Sequence, residues 1–271
     1  MDVTVLGSGD ALGMPVPLCD CQYCRDSDPR RRPAVLIETP ATTVVLDAGP
    51  DLPAQLRTAD VTAPDAVFVT HHHYDHMAGL WELFHAQLPL SDHVLDAGVY
   101  DAGDTPPRTT VPVYMTDRAV QHLEALNDGL TPVLADDRLT PGDPVTVGDL
   151  TVTPFPVDHA RPTFHTQGFR VTDGDQALVY APDLRDWLPD TPDGGLYADP
   201  ALLVAEGAGL FRADPHGPGD VLADALTAAD ADRTVLVNVN EHLHRQHTDV
   251  LAARAADLGY DLGADGATYT C

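Results

Sequence analysis

Ala66-Val-Phe-Val-Thr-His-His-His-Tyr-Asp-His-Met-Ala-Gly79 is the stretch on which the chain turns. Its first four residues are small, β-branched or aromatic, the pattern of a buried strand. They run directly into His71, His73, Asp75 and His76, an H-x-H-x-D-H spacing. In an extended segment residues two apart project the same way, so His71 and His73 can grip one ion. The turn that follows presents Asp75 and His76 toward a second. Imidazole and carboxylate are the ligands of hydrolytic Zn²⁺ and Mn²⁺ sites, and two ions about 3.5–4 Å apart can hold a bridging hydroxide. A solvated histidine-rich turn is the plainer alternative. The strand immediately before, and further ligand candidates downstream, weigh against it.

Outward from that motif, short β-branched runs recur at Val3–Leu6, Ala34–Ile37, Thr43–Leu46, Val111–Tyr114, Leu150–Thr153, Ala177–Tyr180, Leu202–Ala205 and Val235–Asn238, and most read as strands. Helical spacing marks Asp117–Leu126, Val221–Ala228 and Val250–Leu258. Leu90 to Arg108, rich in Asp and carrying Pro106-Pro107, reads as an exposed insertion loop. No linker, repeat or charge block divides the chain, so one α/β domain over residues 1–271 is expected.

The 271 residues carry 15 Lys+Arg against 42 Asp+Glu, and 15 − 42 gives −27. All the cationic residues are Arg, scattered apart from Arg30-Arg31-Arg32, so the basic footprint of a nucleic-acid binder is missing. Arg without Lys, set among abundant Asp, matches proteins of salt-loving microbes, where the Debye length shrinks to roughly 3 Å at molar salt. The charge is therefore about the solvent, and anionic substrates are not excluded. No apolar run approaches the ~18 residues of a membrane span, and Met1-Asp2 opens a strand-like segment instead of a signal peptide. A cytoplasmic protein is expected. Of the four Cys, three are packed into Cys19-Asp-Cys21-Gln-Tyr-Cys24, which in a reducing compartment points to metal rather than disulfides.

The Thr70-His-x-His-x-Asp-His76 block, with Leu46-Asp47-Ala48-Gly49 on the preceding strand, resembles the metallo-β-lactamase superfamily over essentially the whole chain. The resemblance implies an αβ/βα four-layer sandwich with the metals at one edge. It also implies a His after a later strand and an Asp after the next, positions that His159 and Asp183 fit. Asp183 would bridge two divalent ions, zinc or manganese. Asp47 is implied as a carboxylate that orients a ligand or the turn; capping the turn before Gly49 is its plainer role.

The Cys19-x-Cys21-x₂-Cys24 knuckle and Arg30-Arg-Arg-Pro33, following Leu6-Gly7-Ser8-Gly9, are similar to the phosphoribosyl cyclic-phosphate phosphodiesterases of phosphonate degradation. In that branch three such Cys and one His form a structural zinc site apart from the catalytic pair. Three thiolates need a fourth ligand to close a tetrahedron, and they would fasten a loop of about twenty-five residues with no secondary structure of its own. The similar family places a catalytic His at the end of its last strand and a zinc-site His three residues later. Here Asn238 occupies the first place, within Val237-Asn-Val-Asn-Glu-His242-Leu-His244-Arg-Gln-His247. Either His242 completes the cysteine site, leaving the second ion with Asn238 or water, or His242 closes the catalytic site and His244 or His247 serves the cysteines. The spacing favours the first.

The resemblance thus implies metal-assisted hydrolysis of a small cyclic phosphate ester by a metal-bound hydroxide, with Asp75 orienting the nucleophile or accepting its proton. Arg30, Arg31 and Arg32 could clamp a phosphate by paired hydrogen bonds, or neutralise Asp26 and Asp28. His165 could line the substrate mouth, whereas His72 faces away from the ions. An RNA-processing nuclease or a thioester hydrolase of the same superfamily would share the histidine block, as would a metal-stabilised binding protein without activity. A small-molecule phosphate ester is the expected partner. Both a monomer and a homodimer remain compatible with the sequence.

Overall fold

The structure is a computed structural model and describes residues 1–87, 110–126, 138–159, 165–188, 195–211 and 219–271. The expected insertion loop, Leu90 to Arg108, lies outside the described residues. Strands β1 (Asp2–Gly7), β2 (Ala34–Glu38) and β3 (Thr43–Leu46) pair antiparallel in sequence. Helix α1 (Gln22–Asp26) lies in the cysteine loop between the first two, where the sequence suggested no secondary structure. The chain then crosses through α2 (Leu52–Thr58) to β4 (Ala66–Phe68), parallel to β3. Helices α3 (Tyr74–Met77) and α4 (Leu80–Gln87) follow β4, and β5 (Val113–Tyr114) pairs parallel to it before α5 (Asp117–Leu126).

The second sheet is built on β7 (Leu150–Asp158), β8 (Thr166–Thr172) and β9 (Ala177–Ala181), an antiparallel meander. The short β6 (Val145–Val147) and β10 (Asp186–Trp187) flank the two ends of β7. Beside β9 run β11 (Leu202–Glu206), β12 (Thr234–Val237) and β13 (Asp261–Leu262), all parallel to it. Their crossovers carry α6 (Ala208–Phe211), α7 (Gly219–Ala228), α8 (Glu241–His244) and α9 (Thr248–Asp257). Finally β14 (Thr268–Thr270) returns to β1, giving a 6-stranded sheet ordered β14-β1-β2-β3-β4-β5 against an 8-stranded one.

Alternation along the strands assigns the layers. Val44, Leu46 and Phe68 face Phe169, Leu178, Tyr180 and Val204 between the sheets. On the outer faces Val45 and Val67 meet Leu52, Leu80 and Leu123 from helices, and Val179, Leu203 and Leu236 meet Leu222, Leu226 and Leu251. Strands covered on both faces read as continuous apolar runs, and each fully buried aliphatic side chain contributes roughly 1.5–3 kcal/mol. The result is the αβ/βα four-layer sandwich. Among the described residues, no helix is long and apolar enough to cross a membrane. Because β3 and β4 are parallel, and β7, β9, β11 and β12 point one way, the chain leaves six strands at one edge. Asp47, Thr70, His159, Asp183, Gly207 and Asn238 lie just beyond those strand ends.

Candidate metal centre

At the end of β4 the chain stays extended through His73, which caps α3 with φ −67° and ψ 149°. This puts Asp75 and His76 in the first turn, both buried. Gly49 and Gly79 make that turn fit. A Cβ on Gly49 would overlap the Asp75 carbonyl, and one on Gly79 would overlap the Gly49 carbonyl. Backbone bonds from Ala48 N to His76 O (2.8 Å) and from Gly79 N to Ala48 O (2.8 Å) lock the two turns together.

Asp47 sits in the left-handed region at φ 67°, conformationally costly for a non-glycine residue. Its carboxylate accepts from Thr70 N (2.9 Å), Thr70 Oγ1 (2.9 Å), Tyr180 OH (2.9 Å) and His76 Nδ1 (2.8 Å). A carboxylate only accepts, so His76 carries a proton on Nδ1 and turns its Nε2 inward. The same logic runs one residue further. Thr70 Oγ1 donates to Asp47 and accepts from His71 Nδ1 (3.0 Å), leaving His71 Nε2 facing the cluster.

Around these rings the donors crowd. His71 Nε2 and His73 Nδ1 are 2.7 Å apart, and donor atoms of His71, His73 and His159 all lie within 4.8 Å of one another. So do those of His71, His76 and Asp183. Asp183 Oδ2 is 2.7 Å from His76 Nε2 and its Oδ1 is 3.6 Å from His159 Nε2, so one carboxylate reaches both groups. Asp75 Oδ2 is 3.1 Å from His76 Nε2. Burial holds His71 neutral, well below its usual range. Burial also pulls His76 down, but Asp75, Asp47 and Asp183 outweigh it and hold the ring well above its usual range. Burial pushes Asp183 up, yet His76 and His159 overcome it and keep the carboxyl well below the ordinary carboxylate range. Inward imidazole nitrogens closed around two carboxylates are the donor set of a divalent-ion centre, and these residues fit one.

A second cluster forms 220 residues apart in sequence. Cys19 Sγ and Cys21 Sγ lie 3.3 Å from His242 Nδ1, and Cys24 Sγ lies 3.6 Å away. Helix α1 supplies Cys24, with Cys21 at its N-cap. Helix α8 supplies His242 and is capped by Asn240, whose Oδ1 accepts from Leu243 N at 3.1 Å. The Asn240 amide nitrogen donates to Asp10 Oδ1 (2.7 Å) and Gly13 O (3.2 Å), tying the cysteine loop to α8. The Cys24 backbone N–H leads in lowering the Cys21 thiol to about 6, while burial pushes Cys24 up to about 11. Three sulfurs and one imidazole nitrogen match a closed structural zinc site. The two assignments left open for His242 thus separate geometrically. His244 packs against Phe211 (5.7 Å between ring centroids) and His247 against Tyr23 (4.9 Å).

The arginine run needs correcting as a phosphate clamp. Arg30 is buried, and its guanidinium donates to Glu241 Oε1 (2.7 Å), Ser8 Oγ (2.8 Å) and Gly263 O (2.6 Å). Those bonds use it to fasten α8 to the first strand. Arg32 donates to Ala11 O (3.2 Å) and to Asp51 (3.3 Å), while Arg31 lines a groove with Thr4, Leu36 and Gln55 on the outer face of the first sheet. His72 turns toward His122 (4.6 Å between centroids), and His165 is exposed at the start of β8. Arg161 to Phe164, just before it, lie outside the described residues. Asn238 reaches the centre through Asp183, to which its Nδ2 donates at 3.2 Å. Sequence reasoning missed Tyr180, Glu206 and the bridging part of Thr70. The first two are polar residues in the last two positions of wholly buried strands at the ligand edge, the signal that could have found them.

Residues 42–239 match the family described as beta-lactamase superfamily domain. The chain is 27% identical over 274 residues to an octanoyltransferase from Porphyromonas gingivalis, covering 96% of this chain and 50% of that protein. It is 30% identical over 139 residues to a ribonuclease Z from Methanopyrus kandleri, covering 51% of this chain and 43% of that protein. It thus spans half or less of the curated relatives it matches. Among solved structures it resembles a diphosphatase from the PhnP family, with TM-score 0.79, 22% identity and coverage of 99% and 96% of the two chains. It also resembles Zn²⁺-bound PqqB from Methylobacterium extorquens, with TM-score 0.74, 18% identity and 100% of both chains covered. With the family match over most of its length and the sandwich that goes with it, the chain belongs to the metallo-β-lactamase superfamily of metal-dependent hydrolases.

Proposed function

We propose that the chain is a phosphodiesterase that opens a small cyclic phosphate ester at a two-ion centre. The observation carrying this is Asp183, whose two oxygens are divided between the His159 and His76 sides of the donor cluster. A paired centre suits in-line displacement at phosphorus, where charge on the attacking and leaving oxygens must be offset together. His71, His73 and His159 would hold one ion, and Asp75, His76 and Asp183 the other; Cys19, Cys21, Cys24 and His242 would hold a separate structural zinc. When bound, the paired divalent ions acidify water and offset the charge of phosphoryl oxygens.

The chain's own residues supply the rest. Thr70 and Asp47 fix the tautomers of His71 and His76, so no reorganisation is needed as the reaction proceeds. Burial pushes Asp75 up, but His76 more than offsets it, so its carboxyl stays below its ordinary value and is ionised at neutral pH. Its carboxylate is the acceptor for the proton of the attacking water. Cationic residues that are scattered along the sequence apart from Arg30-Arg31-Arg32 favour a small ester over RNA. Three sulfurs gathered around an imidazole suit a reducing cytoplasm, and the charge suits concentrated salt. Unfolding as salt falls toward ~0.1 M, where the Debye length is about 10 Å, would support the last point, and full activity in dilute buffer would remove it.

The deciding experiment measures metal content and turnover on one preparation, with bis-(4-nitrophenyl) phosphate, a five-membered cyclic phosphate diester, precursor tRNA and a thioester offered side by side. Metal-dependent hydrolysis of the two phosphate diesters is expected to dominate. Preferential cleavage of precursor tRNA or the thioester, or no turnover by the fully metallated protein, would overturn the reading.

A further inference from the structure

On the outer face of the first sheet, between α2 and β14, a groove of about 260 Å³ runs over β1 and β2. Its ends carry opposite charge: Arg31 stands before β2 and Glu38 closes that strand. Between them lies Thr4, in register with Leu36 on one side and Thr268 on the other. The Thr4 and Thr268 hydroxyls meet at 2.9 Å. Neither donor cluster contributes a residue to this groove, so it is separate from the metal centre.

Arg31 is the member of its run that the fold leaves unspent. Arg30 is held by Glu241 and Arg32 by Asp51. The Arg31 backbone N–H donates to Asp265 Oδ2 at 2.7 Å, but among the described residues its guanidinium has neither a hydrogen bond nor an ion pair. In a chain of net charge −27, that is a cation with no acid to answer it.

Gln55 gives an independent sign at the same end of the groove. It is 1% exposed, and its Nε2 donates to Arg32 O at 3.0 Å. That bond fixes which way the amide faces. A Cβ on Gly7 would overlap Arg32 O and crowd Nε2, so glycine at that position is what lets the two approach. The amide oxygen, Oε1, accepts no hydrogen bond among the described residues. A buried acceptor without a donor is costly, and a ligand hydroxyl seated in the groove supplies one.

We infer that the groove is a binding site for a short polyol carrying one terminal anionic group, a phosphate monoester or a carboxylate. Arg31 takes the anion by paired hydrogen bonds. Hydroxyls along the chain donate to Gln55 Oε1 and Glu38, and exchange bonds with the Thr4 and Thr268 hydroxyls, which both donate and accept. Glu38 opposes a second anion, so the ligand is charged at one end only. From Ala34 to Glu38 the strand rises about 13 Å, which suits a chain of about four carbons with its anionic group.

The test is calorimetric titration of the metal-loaded, full-length protein with erythritol 4-phosphate, erythronate and butyl phosphate. At least one of the two polyols should bind, and the tighter of them names the anion. Butyl phosphate keeps the charge and lacks the hydroxyls, and should bind about tenfold more weakly than erythritol 4-phosphate. Arg31→Ala should weaken the polyols about 10–100-fold. Gln55→Met fills a similar space without the acceptor, and should weaken the polyols about tenfold while leaving butyl phosphate unchanged. No binding of either polyol at millimolar concentration, or butyl phosphate binding as well as erythritol 4-phosphate, would overturn the inference. So would polyol affinity within twofold of wild type in folded Arg31→Ala or Gln55→Met, the result expected if water satisfies Gln55 or the metal centre captures the probe. Should Gln55→Met not fold, Arg31→Ala and the gap between erythritol 4-phosphate and butyl phosphate decide.

Discussion

The histidine cluster and the cysteine cluster are both four-or-more-donor sites, yet they are built in opposite ways. The first sits at the ends of strands from both sheets, buried apart from the half-buried His73, with His76 and His71 oriented by Asp47 and Thr70. The second joins a loop helix to a helix 220 residues later, with Cys19, Cys21 and His242 only half-buried. The first is preorganised by the fold, whereas the second organises part of the fold. An ion lost from the strand-end site should therefore remove chemistry and spare structure, and an ion lost from the loop site should do the reverse.

The largest expected effect breaks the first half of that contrast. His71→Ala removes a donor common to both groups, and turnover should fall by more than the roughly 10–100-fold that losing an outer partner costs. The melting temperature should shift little, since the cluster sits beyond the strand ends; retained turnover in a steady-state assay would show the cluster is not the reaction centre. A smaller effect is expected of Asp47→Asn, which can no longer accept from His76 Nδ1, Thr70 and Tyr180 together. Metal affinity and turnover should drop about 10–100-fold, and a change within twofold would make Asp47 a turn cap only.

The second half is sharpened by Cys21→Ser. One zinc per chain should be lost and the melting temperature lowered by several degrees, at about 2–4 °C per kcal/mol for a chain of this size. An unchanged zinc count would show that the knuckle holds no metal. Acidity gives the smallest effect. With Cys24 held at about 11 and Cys21 at about 6, zinc displaces the Cys24 proton at pH 7 and the Cys21 proton as well below pH 6. Zinc affinity should rise with pH, and its slope should steepen by about one power of ten per pH unit below pH 6. A zinc titration at several pH values, finding no change of slope, would remove that ordering of the thiols.

The two sites also differed in how far the sequence exposed them. The strand-end site was legible because its ligands are clustered in Thr70 to His76 and the rest follow apolar strands, His159 after β7 and Asp183 after β9. The loop site was half legible, because Cys19, Cys21 and Cys24 are adjacent in sequence while their imidazole partner depends on how α8 is turned. Asn240 capping α8 and the buried Arg30 to Glu241 pair settle that turn, and neither is a local signal. The same blindness made Arg30 look like a substrate clamp, since a run of three arginines says nothing of burial. In the fold, β7 was expected over Leu150 to Thr153, the β-branched run that ends before Pro154 and Pro156. It continues to Asp158 because Pro154 turns its carbonyl away from β8 to accept from Gly142 N (2.7 Å), on the stretch of edge between β6 and β10 where no N–H is needed. β8 was missed because Thr166, Gln167 and Gly168 dilute its apolar pattern; Gly168 is there because the Phe155 ring leaves no room for a Cβ.

The division of labour between the two clusters meets its most direct test in His242→Ala, assayed for zinc content, melting temperature and phosphodiester hydrolysis on one preparation. The expected result is the loss of one zinc per chain and a melting temperature lowered by several degrees, with the ions at His71, His73 and Asp183 and a measurable share of turnover retained. Collapse of turnover by orders of magnitude, with the cysteine zinc and the melting temperature unchanged, would contradict it and move His242 into the reaction centre.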